Sequence, residues 1–207
     1  MDALSFADMT VGGFLDATAA KLPTPGGGAV AGLSGAMSAA LAGMVVSYSL
    51  GKKAFAAQQA QLEQDSALLA RARAMFMRLA AEDAAAYGLV NELSRLPESD
   101  ARRAAEMPQA ARAAVDVPMA VATLALDLLR EYERMIGMTN RHLRSDLAIA
   151  AVLAGATARS SWWNVVVNVP GLPEGDRAAV VAGAEALVAK AEDLARDVER
   201  GCREPMP

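Results

Sequence analysis

The chain has 207 residues, enough for one domain with a substantial core. Hydrophobic residues make up 54% of it but aromatic residues only 4%, and the excess is mostly alanine, which favours closely packed helices. A formal net charge of -4 with both signs spread along the chain excludes a basic nucleic-acid surface, and the single cysteine, Cys202, excludes an internal disulfide and points to a reducing compartment.

The opening "MDALSFADMT" has neither the basic stretch nor the apolar stretch of a secretory signal, so a cytoplasmic location is expected. Residues 5–20, "SFADMTVGGFLDATAA", read as a first helix with Ser5 and Asp8 at capping-box spacing. In "TPGGG", Thr24 is the expected N-cap and Pro25 the first-turn residue of a second helix that stops near Gly51. From Ala54 to Leu96 the apolar positions Leu62, Leu69, Phe76 and Leu79 recur at helical spacing. Pro97 and Ser99 break and restart the chain, Pro108 and Pro118 predict a kink and a further start, and Gly137 ends that helix. A helix from 140 follows. "NVVVN" (164–168) is rich in β-branched residues, yet its two asparagines at i and i+4 share one helix face, and it is read as helix. "VPGLPEG" ends it, and residues 175–201 form an amphipathic closing helix. No linker or repeat divides residues 1–207, so a single all-α helical bundle is expected.

Residues 22–53, "LPTPGGGAVAGLSGAMSAALAGMVVSYSLGKK", are the least ordinary stretch, with no charge between Lys21 and Lys52. The segment is long enough to span a bilayer, but Gly, Ala and Ser dominate it and no aromatic belt flanks it. A Walker A loop fails on spacing, because Lys52 lies a whole helix beyond the glycines, and no strand precedes them as a dinucleotide fold requires. A central buried helix remains. Gly28, Gly32, Ala36 and Ala40 form one small-residue face at four-residue spacing, and Gly35, Ala39 and Gly43 form a second. Packing accounts for Gly32, Gly35 and Gly43. Gly26, Gly27 and Gly28, at the helix start, are better explained by close approach of a ligand to exposed N–H groups.

These residues resemble the "TPTPGGG…GKK" signature of the cyclodeaminase/cyclohydrolase family of folate enzymes. The resemblance continues, in order, through "EDAAAY" (82–87), "AVDVP" (114–118), "GMTNRHLRSD" (137–146) and "NVVVN" (164–168). Leu22 stands where the family has a polar residue, and Met138-Thr139 stretches the Gly-Asn neighbourhood before Asn140. The resemblance implies an all-helical homodimer that needs no metal and no cofactor beyond its tetrahydrofolate substrate. It also implies one of two reactions: hydrolysis of 5,10-methenyltetrahydrofolate to the 10-formyl form, or deamination of formiminotetrahydrofolate. Hydrolysis is preferred, because deaminases of the family usually accompany a transferase domain for which the helical chain leaves no room. A catalytically silent helical partner that binds folate or another chain is the alternative from another class.

The methenyl bridge is already an electrophile, so the chemistry calls for a carboxylate beside the cation, a base for water and a proton donor for the departing nitrogen. Asp83 and Asp146 are the candidates, with Lys52 as a proton-steering or anion-binding group. By pattern alone the acids read more readily as solvated or ion-paired helix charges, and one of the two lysines as a charge favoured at a helix C-terminus. The resemblance favours the site. Pro25, Gly26, Gly27, Gly28, Lys53, Asn140, Asn164 and Asn168 complete the expected binding set, the last two either reading the pterin or capping a helix end before Pro170. Arg71, Arg73, Arg78 and Arg141 are candidates for the glutamate tail. His142, the only histidine, can pair with Asp146 but cannot build a metal cluster. Trp162 and Trp163 read as core or dimer contacts.

Overall fold

A computed structural model describes residues 6–203, and these contain six α-helices and no strand. The helices are α1 (Val11–Ala19), α2 (Gly27–Ser47), α3 (Gln59–Ser94), α4 (Ala101–Met135), α5 (Arg144–Asn168) and α6 (Glu174–Arg203). The first helix starts later than its pattern predicted. Phe6–Asp8 is a single 3-10 turn, and Thr10 caps α1 by accepting from the Gly13 N–H at 3.0 Å. Ser5, half of the expected capping box, lies outside the described residues.

Gly26, not Thr24, is the N-cap of α2, and no side chain caps it, so Thr24 and Pro25 precede the helix instead of starting it. The helix ends at Ser47, and a turn carries the chain to Gly51, whose φ of 72° is the left-handed conformation that glycine adopts without strain. Neither Pro108 nor Pro118 starts a new helix. Both lie inside the 35 residues of α4, which runs for about 50 Å. Each proline removes a helical N–H, but packing on both sides holds α4 together. "NVVVN" is helical, as its asparagine spacing indicated.

The second helix is the only described one long and apolar enough to cross a membrane, and it packs mainly against α3 and α5. Its small residues set the distance to α3. A Cβ at Gly32 would come within 2.8 Å of the Ala80 Cβ, and one at Gly35 within 2.6 Å of the Phe76 ring. Gly43 differs from expectation, since among the described residues no atom lies within 4 Å of a Cβ placed there and it contributes no close packing. The contact row is therefore 28-32-35, following the way α3 crosses α2. Around it Leu62, Leu69, Phe76, Leu128, Leu129 and Tyr132 are fully buried, each worth about 1.5–3 kcal/mol relative to exposure for the aliphatic and Phe side chains.

Helices α2 and α5 run antiparallel. Gly27 lies beside Asn164, the Ser38 hydroxyl donates to the Ala150 carbonyl at 2.7 Å, and the Asn140 N–H donates to the Ser49 hydroxyl at 2.9 Å. Ser38 also bonds the Tyr132 hydroxyl at 2.9 Å, and burial pushes that phenol well above its usual range, so it stays neutral.

Candidate active site

Where α2 begins, α3 passes so close that a Cβ at Gly28 would overlap the whole carboxyl group of Asp83, with even its farther oxygen only 2.5 Å away. Glycine at this position makes room for the acid. Asp83 is half-buried and, among the described residues, receives no hydrogen bond and forms no ion pair. Burial accordingly pushes its pKa from 3.8 up to about 6. Such a carboxylate is largely ionised at neutral pH and takes up a proton readily, which is the property a general base needs.

Asp83 opens into a cleft of about 300 Å³ between the start of α2, the middle of α3 and the end of α5. Gly26, Gly27 and Gly28 form one wall, with Pro23 and Thr24 beside them; Pro25 is buried and does not line the cleft. Asn164 and Asn168 form the opposite wall with Val167. The Asn164 side-chain amide donates to the Ser160 carbonyl at 3.3 Å, and its Oδ1 stands 3.3 Å from where a Gly27 Cβ would be. The Asn168 amide donates across to the Ala114 carbonyl of α4 at 2.8 Å. Neither asparagine caps its own helix end.

Tyr87, Ala84 and Ala114 also line the cleft, and the sequence reading gave none of them a role. For Tyr87 a signal was present, because its i+4 spacing from Asp83 in "EDAAAY" puts both on one face of α3. A larger groove of about 670 Å³ between α2 and α3 is almost wholly apolar, with Arg73 and Arg78 at its edge and no carboxylate in its lining.

The remaining candidates lie elsewhere. Asp146 sits in the first turn of α5, about 27 Å of helix away from Asn164. Lys52 and Lys53 follow the far end of α2 and are exposed, without the desolvation expected of a lysine that moves protons. The Asn140 side chain caps the short 3-10 turn Arg141–Leu143 by accepting from the His142 N–H at 3.1 Å. His142 is exposed and makes no ion pair with Asp146 among the described residues. Within one chain, then, Asp83 and Asp146 do not form the expected pair. The antiparallel run of α2 and α5 separates the candidates into two groups at opposite ends. None of Arg71, Arg73, Arg78 and Arg141 lines the Asp83 cleft, and Arg78 pairs with Glu82 at 2.8 Å. Trp162 packs against the small core around Val115 and Val165, whereas Trp163 is 60% exposed. Among the described residues no three His, Cys, Asp or Glu side chains are grouped so as to hold a metal ion.

Residues 10–186 match the family described as formiminotransferase-cyclodeaminase. A methenyltetrahydrofolate cyclohydrolase of Methylorubrum extorquens is 36% identical over 169 residues, covering 80% of this chain and 81% of its own. The formimidoyltransferase-cyclodeaminase of Mus musculus is 29% identical over 80% of this chain, which spans 31% of that longer protein. A formiminotetrahydrofolate cyclodeaminase of Thermotoga maritima has the same fold, with a TM-score of 0.82 at 28% identity over 94% of this chain and 98% of that one. With its family match spanning most of the sequence and a relative 36% identical over four-fifths of both chains, this protein belongs to the formiminotransferase-cyclodeaminase family.

Proposed function

We propose that this protein is a methenyltetrahydrofolate cyclohydrolase, converting 5,10-methenyltetrahydrofolate and water reversibly into 10-formyltetrahydrofolate and a proton. The observation that carries this reading is Asp83, an acid without a partner among the described residues and with a pKa of about 6, in a cleft that Gly28 leaves open. Its ionised form attracts the methenyl cation and accepts a proton from water as the oxygen adds to the bridge carbon. The bond from that carbon to N5 then breaks as the new hydroxyl gives up its proton to become the formyl oxygen, N5 takes up a proton, and the formyl group stays on N10. Because the bridge carbon is cationic at the outset, the mechanism calls for neither a metal nor a further cofactor. The 36% identity to a cyclohydrolase supports hydrolysis over deamination, for which the same cleft and the same acid would serve.

The working unit in this proposal is a cytoplasmic homodimer; the one thiol, Cys202, is free, in keeping with a reducing compartment. Val30 and Met37 on α2 and Ile149, Val152, Trp163 and Val167 on α5 are all exposed, and α2 carries no charge along its length. A twofold axis across this face, with the protomers antiparallel, would bring Asp146 and Lys52 of one protomer towards the Asp83 cleft of its partner.

The test is the purified chain with 5,10-methenyltetrahydrofolate in excess chelator. An accelerated loss of methenyl absorbance is expected. Ammonia release from formiminotetrahydrofolate with no effect on the methenyl compound would assign the deaminase reaction instead.

A further inference from the structure

The geometry points to Asn168 as the acceptor that recognises an N–H donor on the ring edge of the bound ligand, with Pro118 as the residue that positions it. This rests on the folate reading above and extends it to how the ring is oriented. Proline has no N–H, so Pro118 leaves the carbonyl four residues earlier, that of Ala114, without its helical donor. Ala114 is 5% exposed, and a buried carbonyl without a partner is costly. The Asn168 side chain supplies the missing bond, its Nδ2 donating to the Ala114 oxygen at 2.8 Å. Only the NH₂ half of an amide can face a carbonyl, so the direction of the Asn168 side chain is fixed. Its Oδ1 is left for the cleft that Ala114 and Asn168 both line.

Asn164 repeats the arrangement one turn earlier, with its NH₂ on the Ser160 carbonyl and its Oδ1 turned towards Gly27. Together with Asp83, the two asparagines give the cleft three side-chain oxygen acceptors. Such a surface suits a flat heterocycle whose edge is rich in N–H donors. The 2-amino group and N3–H of a 2-amino-4-oxopyrimidine ring, as in a pterin, have that character. Placed against the asparagines, this edge leaves the reactive bridge for Asp83.

A purely structural role for Asn168, filling the valence of Ala114, competes with this. That role gives no reason for Pro118, since any other residue there would satisfy Ala114 from within the helix. It also predicts that the ligand's amino group is irrelevant to binding.

The experiment uses the full chain, with binding followed by calorimetry for two probes: 5-formyltetrahydrofolate, and the same molecule with its 2-amino group replaced by methyl. The wild type should bind the methyl analogue about 10- to 100-fold more weakly. Asn168→Leu should lose a similar factor for the parent compound and discriminate little between the two. Pro118→Ala restores the helical N–H and so keeps the fold; it should weaken the parent compound by about 3- to 10-fold and narrow the discrimination. Equal affinity of the wild type for both probes, or unchanged affinity and discrimination in Pro118→Ala, would overturn the inference and leave the folate reading intact. Binding of neither probe to the wild type would remove the folate reading itself.

Discussion

Replacing Asp83 by asparagine separates what the acid costs the fold from what it does in the cleft. Folding raises the pKa of this carboxyl group from 3.8 to about 6, so the folded protein holds the proton more tightly than the unfolded chain. Relative to a neutral asparagine, the wild type loses stability as pH rises from about 4 to about 6, and the loss levels off above that. At about 1.4 kcal/mol for each tenfold change, the gap between 3.8 and about 6 amounts to an upper bound of about 3 kcal/mol. Asp83→Asn should therefore match the wild type in urea melts near pH 4 and exceed it by about 1–3 kcal/mol near pH 8. The same variant should lose about 10²- to 10⁴-fold in kcat/KM for methenyltetrahydrofolate. In the wild type, kcat/KM should climb with pH, passing half its maximum near 6 and levelling off about one unit above that. A stability difference that does not change between pH 4 and pH 8 would show that Asp83 is not held in a desolvated position, and the reasoning from burial to basicity would fail with it.

Other perturbations probe the glycine wall and the dimer. Gly28→Ala drives a methyl group into the Asp83 carboxyl and should cost more than tenfold in activity, whereas Gly27→Ala meets only Asn164 Oδ1 at 3.3 Å and should cost far less; equal effects would refute the contact. Val152→Glu should shift the protein to monomer in sedimentation, and a dimer that survives it would move the interface elsewhere. If partners share each site, mixing inactive Asp83→Asn and Asp146→Asn chains in equal amounts should restore about a quarter of wild-type activity, since half the dimers are mixed and each has one intact site; no recovery after subunit exchange would place Asp146 outside the site.

The sequence made most of the fold legible because helical signals are local. Helical spacing of Leu62, Leu69 and Phe76 identified α3, and the uncharged run from Gly27 onwards identified the buried α2. What it misjudged were competitions between local rules and packing. Pro118 looked like a helix start, but a carbonyl freed by proline is tolerable when a neighbouring helix offers a donor, and Asn168 sits 54 residues away in sequence. Thr24 looked like an N-cap, but Gly26 took that position. The site was legible in its parts and not in its assembly. Nothing in the order of the motifs tells that Gly27 meets Asn164 while Ser49 meets Asn140, and that antiparallel pairing decides which candidates share a cleft.

The two acids of "ED" at 82 and 83 show how the structure weighs a surface role against a functional one. Glu82 is paired with Arg78 one turn back, and both are substantially exposed, so it behaves as an ordinary helix-surface charge worth little to stability. Arg112 and Asp116 do the same on α4. Had Asp83 served the same purpose, a basic residue at 79 or 87 would have been enough, yet those positions hold Leu79, buried in the core, and Tyr87, in the cleft wall. Instead Asp83 turns inward with no cation beside it among the described residues, and the neighbouring helix gives up a side chain at Gly28 to admit it. An acid kept at a cost to the fold, in a space cleared on the facing helix, is what selection for chemistry leaves behind and what selection for stability would remove.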